Sequence, residues 1–370
     1  MVPVAGPQDD RIVSIPNLGR GKMQALLLSE YRKLEMTSMD EPPLGPQDVL
    51  VAVRACGICG SDVHGYDGAS GRRIPPIVMG HEAAGVIAKV GAEVRDFKAG
   101  DAITFDSTVY CGKCPACRQG QVNLCTARRV LGVSCGDYRQ HGAFADYVAV
   151  PAHILFPLPK GMPFEHAAMA EPVSVALHAV GRIPIKSGDR AAVVGAGLIG
   201  LLVLQALKLA GCTELIAVDV DEARLRVATE LGATTTLNSA KVDAAAAIME
   251  RTAGSGVDIS MEVVGNAAAL ATAVNCVRCG GHVGLVGNVT PSVPFPLQTV
   301  VTREITLAGS CASAGEYPRA IELIASGAIR VAPLISAVAP LAEGPQWFER
   351  LYAREPNVMK VILCPNGTSA

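Results

Sequence analysis

The chain has 370 residues, half of them apolar and only 4% aromatic, with 32 Lys and Arg against 34 Asp and Glu. That length accommodates two domains, and the near balance of charge argues against nucleic acid or an anionic membrane as partner. The start, MVPVAGPQDD, has no signal-peptide pattern, and the longest apolar runs, such as Leu198–Leu204, are Gly-broken and too short for a membrane span, so a soluble cytoplasmic protein is expected.

Residues 1–22 read as an N-terminal tail punctuated by Pro and Gly, and MQALLL, from Met23, as the first strand. Short β-like runs follow, among them Val49–Ala55 and Ala83–Gly91. Beside them lie ACGICGSDVHGYDG (Ala55–Gly68) and PPIVMGHEAAG (Pro75–Gly85). Cys59, His81 and Glu82 there offer one soft, one borderline and one hard donor. Three protein ligands with an open fourth position suit a catalytic zinc. Spacing alone does not separate Cys59 from Cys56.

Next come Cys111, Cys114, Cys117 and Cys125, spaced C-x2-C-x2-C-x7-C. Four thiolates on one short loop close a tetrahedron around a structural Zn²⁺. An iron–sulfur cluster takes the same ligands, but a closed all-cysteine zinc site that pins a loop and takes no part in the chemistry is the expectation. A strand at Ala143–Val150 and helical periodicity over His166–Val180 complete a mostly β unit expected over residues 23–184.

From Ser187 the texture changes to strand and helix in alternation, which predicts a parallel, doubly wound sheet over residues 185–315. AAVVGAGLIG carries Gly195, Gly197 and Gly200 around Leu198 and Ile199 at a strand-to-helix turn, and Asp219 ends the next strand, nineteen residues beyond Gly200. That context makes G-x-G-x-x-G a dinucleotide site, with the pyrophosphate at the helix start and Asp219 on the ribose hydroxyls. A carboxylate there repels a 2′-phosphate, and no Arg occupies positions 220–223, so NAD is expected over NADP. A helix at Tyr317–Ala325 and a strand in VMKVILCP are expected to return to the first unit over residues 316–370. His178, Cys276 and Cys279 read as packing residues.

The G-H-E-x2-G-x5-G run at Gly80–Gly91, the four-cysteine lobe and the nucleotide motif together resemble the zinc-containing medium-chain alcohol dehydrogenases. GICGSDVH and AEPVSVALHA are most similar to the sorbitol, xylitol and galactitol-phosphate dehydrogenase group. The resemblance spans about Met23 to Pro365. It implies an α/β chain in which a GroES-like, mostly β catalytic domain is interrupted by a Rossmann domain. It further implies two zinc ions per chain, with Cys59 rather than Cys56 as a catalytic ligand beside His81 and Glu82. Glu171 would be a further ligand or would hold the zinc-bound water. Ser61 and His64 would pass the alcohol proton onward, and Asp62 would orient the histidine ligand. Ile199, Asp219 and Arg224 would touch NAD, with Val286, Gly287, Asn288, Ser310, Cys311 and Ala312 along its nicotinamide half.

The implied reaction is hydride transfer from a secondary alcohol of a polyol to NAD, giving the ketone. A threonine or butanediol dehydrogenase is the neighbouring reading, and a non-catalytic nucleotide-binding relative the remote one. A homo-oligomer, a tetramer, is expected, because the apolar stretch Pro291–Val301 would be an edge prone to pairing. Two departures from the group touch the substrate side. Gly65 stands where an aromatic residue commonly follows the relay histidine, and Gly309–Ser313 offers only small residues where an Arg is usual. Both predict a cleft that has lost bulk and a positive charge.

Overall fold

The computed structural model describes residues 21–135 and 138–367, so nearly all of the expected 1–22 tail lies outside the described residues. Strand Asp48–Gly57 sits in the middle of a seven-stranded sheet, paired with Glu82–Val90, Tyr147–Pro151 and Lys360–Cys364. The central place explains why its run VLVAV is apolar at successive positions instead of alternating: both faces are covered. Ala102–Phe105 and Leu155–Pro157 extend the sheet on one side, and Ile335–Pro340 extends it on the other. The register brings distant residues together. Gly57 lies opposite Glu82 on one neighbour and Ile362 on the other, so the C-terminal strand closes the sheet beside the His81–Glu82 pair.

The second sheet is parallel and six-stranded, in the order Thr235–Asn238, Glu214–Asp219, Arg190–Val194, Val257–Glu262, Val277–Leu285, Thr306–Gly309. This is a Rossmann arrangement, and the mostly β part with its GroES-like sheet completes the α/β fold class. Val194, Val218, Glu262, Leu285 and Gly309 lie in one row at the strand ends. The strand order reverses between Arg190–Val194 and Val257–Glu262, where open α/β sheets bind ligands.

One buried cluster joins helix Leu198–Leu209 to helix Ala170–Gly181 and helix Tyr317–Ala325. The core thus runs across the boundaries expected at residues 184 and 315, because all three helices bury an apolar face against one another. Cys276 is buried as expected, but Cys279 is exposed on strand Val277–Leu285, so only the first of that pair packs in the core. Among the described residues no helix is long and apolar enough to cross a membrane.

Candidate active site

Cys59 caps the short helix Gly60–Gly65: its Sγ accepts from the Ser61 N–H at 3.4 Å, and its own N–H donates to Asp62 Oδ2 at 3.4 Å. The cap points the thiol back toward strand Glu82–Val90, where His81 and Glu82 stand buried. Ligand atoms of Cys59, His81 and Glu82 all lie within 4.8 Å of one another. His81 Nδ1 is buried with no hydrogen-bond partner, 3.5 Å from Asp62 Oδ1. A borderline nitrogen, a thiol and a carboxylate converging in this way fit zinc. Cys56 is not among them: it is fully buried on Asp48–Gly57, and burial pushes its thiol well above the ordinary value.

Glu171, expected as a fourth member, opens helix Ala170–Gly181 and lies outside the trio. Its carboxyl is pushed up to about 7, chiefly by burial and then by the Glu82 carboxylate. Two side chains that the residue pattern did not reveal complete the surroundings. Lys360, fully buried on the last strand, donates to Glu82 Oε2 at 2.5 Å and to the Ile58 carbonyl at 2.9 Å. Arg73 lies against Asp62, its Nε at 2.9 Å and its Nη2 at 2.8 Å from Oδ1. Burial raises the Asp62 carboxyl, but His81 and Arg73 outweigh that and hold it well below the usual carboxylate range.

Ser61 Oγ is 3.2 Å from Cys59 Sγ and accepts from Arg73 Nη2 at 3.0 Å. His64 is exposed at the end of the same helix. Tyr66 turns the other way: it is buried against Phe348 and Tyr352 and donates to Glu349, so it cannot stand in for the aromatic residue missing at Gly65. Two arginines stand near the positions of the expected loss of bulk and charge. The stem of Arg73 fills the space beside Gly65. Arg128 Nη1 comes within 3.4 Å of Cys311 Sγ and donates to the Asn123 carbonyl at 2.6 Å.

In the four-cysteine lobe the sulfur atoms lie within 4.8 Å of one another, Cys114 and Cys117 at 3.4 Å. Backbone N–H groups of Cys117 and Thr126 pull the Cys114 thiol below its ordinary value, which favours the thiolate a metal needs. The lobe also reaches the other sheet. Asn123 Nδ2, lying between Cys117 and Cys125, donates to the Cys311 carbonyl at 2.8 Å. His178 is more than packing: it bridges Asn123 at 3.2 Å and Glu316 at 2.8 Å.

At the parallel sheet, Gly195 takes φ +106°, and a Cβ on Gly200 would lie 1.8 Å from the Gly195 carbonyl, so helix Leu198–Leu209 can start only this close to the turn with glycine there. Asp219 is 8% exposed, and its two oxygens accept from Ala196 N–H at 2.7 Å and Asp221 N–H at 3.0 Å. Arg224, although outside positions 220–223, comes within 3.8 Å of Asp219. Val286 and Gly287 donate to the Glu262 carbonyl and Ser310 to the Leu285 carbonyl, which sets Val286–Asn288 and Ser310–Ala312 along the same row of strand ends. Leu198 and Ile199 are the first residues of the helix that follows the Gly195–Gly197 turn.

Residues 45–160 match the alcohol dehydrogenase GroES-like domain, and residues 199–326 the zinc-binding dehydrogenase domain. The chain is 34% identical to a sorbitol dehydrogenase of Bacillus subtilis over 93% of its own length and 98% of that protein's. It is 35% identical to an L-idonate 5-dehydrogenase of Vitis vinifera, covering 90% and 91% of the two chains. A zinc-binding dehydrogenase structure from Sinorhizobium meliloti, bound to NADP, superposes with a TM-score of 0.86 at 33% identity, covering 94% of this chain and all of that one.

Proposed function

The chain belongs to the zinc-containing medium-chain alcohol dehydrogenases, in their polyol dehydrogenase branch, and from that premise we propose that it oxidises a secondary hydroxyl of a free sugar alcohol to the ketone with NAD. The observation that carries this reading is the convergence of Cys59, His81 and Glu82 with the Ser61 hydroxyl 3.2 Å from the thiol. Cys59, His81 and Glu82 would hold a catalytic zinc, Glu171 stands by as a carboxylate near it, and Cys111, Cys114, Cys117 and Cys125 would hold a structural one. When bound, zinc supplies Lewis-acid polarisation of the alcohol oxygen and the nicotinamide supplies the hydride acceptor.

The chain's own residues do the rest. Ser61 Oγ accepts the hydroxyl proton as it gives up its own, and His64, exposed on the same helix, is the base that passes a proton on to solvent. Asp62, 3.5 Å from His81 Nδ1, is placed to orient the ring, and the loops at Val286–Asn288 and Ser310–Ala312 flank the place where the nicotinamide half would lie. Arg73 is buried among protein partners and Arg128 spends Nη1 on the Asn123 carbonyl, which supports a free polyol over a phosphorylated one. The test is nicotinamide reduction, followed by absorbance, across polyols, polyol phosphates, threonine, butanediol and ethanol. A polyol is expected to give the highest kcat/KM. If ethanol exceeds every polyol, the substrate assignment falls.

NAD is the proposed cofactor. The support is the fixed Asp219 carboxylate, which would face a 2′-phosphate with like charge, although Arg224 offsets part of it. NAD is expected to exceed NADP in kcat/KM by about tenfold or more, a difference of roughly 1.4 kcal/mol. Asp219→Ala should narrow that ratio, and equal efficiency with both cofactors in the unaltered protein would contradict the charge argument.

The free, partly buried thiols are in keeping with a reducing cytoplasm. Assembly is proposed as a homotetramer. Val289, Phe295, Leu297 and Val301 are exposed beside the edge strand Thr306–Gly309, an apolar surface that pairing of copies would cover. Light scattering at micromolar protein should give a multiple of the chain mass, and one chain's mass would refute it.

A further inference from the structure

We propose that Arg73 is a positioning residue for the proton relay, holding the Ser61 hydroxyl in one orientation, and that Gly65 is the residue that makes room for it. This rests on the reading of Ser61 as the first proton acceptor.

Arg73 is 3% exposed, and an arginine so deeply buried requires partners for its donors. Nε and Nη2 both reach Asp62 Oδ1, Nη1 donates to the Arg72 carbonyl at 3.3 Å, and Nη2 also donates to Ser61 Oγ at 3.0 Å. A guanidinium has no acceptor, so at this contact Ser61 must accept. A hydroxyl has one proton and two lone pairs. With one lone pair held by Arg73, rotation about the serine Cβ–Oγ bond is restricted. The hydroxyl proton is directed at Cys59 Sγ, 3.2 Å away, which leaves the second lone pair with a fixed direction in which to receive a proton. Four of the five N–H donors of Arg73 are engaged with Asp62, Ser61 and Arg72, and the side chain is buried, so it acts through Ser61.

Gly65 is the other half of the device. A Cβ built there would lie 2.2 Å from Arg73 Cγ and 2.9 Å from its Cβ, atoms at the near end of the side chain that cannot swing aside. Gly65 has no positive φ, so space and not backbone conformation calls for glycine. An aromatic side chain at 65 and an arginine at 73 exclude one another: the two positions form a single choice about what lies beside the relay serine.

Two double-mutant cycles test this. In kinetics, Arg73→Met is expected to lower kcat for the best polyol about 10- to 100-fold, the scale of a misplaced catalytic group, with zinc content and the KM for NAD unchanged. In a Ser61→Ala background the same change should alter kcat less than twofold, because the group it positions is gone. In stability, Gly65→Ala should lower the melting temperature of the wild type and not that of Arg73→Ala. If Arg73→Met loses zinc, Arg73→Lys, which keeps a charge on Asp62 without the fork, takes its place in the same cycle with the same expected pattern. Equal losses of kcat with and without Ser61, or equal destabilisation by Gly65→Ala with and without Arg73, would overturn the proposal. Full activity in Ser61→Ala would instead bring down the relay reading beneath it.

Discussion

Cys59→Ser and His81→Gln should each abolish nicotinamide-coupled oxidation of every alcohol in the panel, lowering kcat/KM by about 10³-fold or more. That factor corresponds to several kcal/mol of lost transition-state stabilisation, the scale on which a Lewis-acid metal acts. The donors sit on different elements, Cys59 as the cap of helix Gly60–Gly65 and His81 just before strand Glu82–Val90. Removing either leaves two protein ligands, too few for a catalytic site. Zinc content should fall by one ion per chain while the four-cysteine lobe keeps its own. Retained activity in Cys59→Ser at reduced zinc content would place the chemistry elsewhere.

The second large effect belongs to Lys360. It and Glu82 are 1% and 2% exposed, with nitrogen and oxygen 2.5 Å apart. Burial pulls the Lys360 ammonium down, but the Glu82 carboxylate outweighs that and holds it above the ordinary lysine value. Lys360→Met leaves Glu82 buried without its partner and the Ile58 carbonyl without a donor. Breaking a buried pair on one side typically costs about 3–5 kcal/mol. The loss should be largest after the catalytic zinc is removed, since a divalent cation replaces the missing charge when present. Glu82→Gln combined with Lys360→Met should recover most of it. Denaturant unfolding of the four proteins, with and without zinc, decides the matter; a single Lys360→Met variant as stable as wild type in chelated buffer would refute it.

Sequence distance separates the legible parts of the site from the hidden ones. Cys111 to Cys125, His81 beside Glu82, and the turn at Gly195–Gly200 are local, so spacing alone announces them. Lys360 is 278 residues from Glu82, and its strand is buried along its whole length, so no alternation marks the lysine as facing a partner. Asn123 and Cys311 meet across 188 residues, which is why the four-cysteine lobe reads from sequence as an isolated pin and His178 as filler. Gly65 is legible as a departure but not as an exchange: only the fold brings Arg73 against it. Cys279 is misread as packing for a simpler reason: spacing pairs it with Cys276 without showing that by Cys279 the chain has turned into a strand whose residues there are exposed.

The place of Lys360 also bears on how the molecule is made. Synthesis runs from the N-terminus, and the six strands of the parallel sheet, from Arg190 to Gly309, form one uninterrupted stretch that can fold as it leaves the ribosome. The other sheet cannot close at that stage. Strand Asp48–Gly57 is flanked along Asp48–Ala52 by Tyr147–Pro151, but its end at Cys56 and Gly57 must wait for Lys360–Cys364, and until then Glu82 has no counter-charge. The metal-binding half, first to be translated, is thus last to mature. A chain arrested or truncated shortly before Lys360 would carry a finished nucleotide domain beside an incomplete sheet, with Glu82 lacking its counter-charge next to Cys59 and His81.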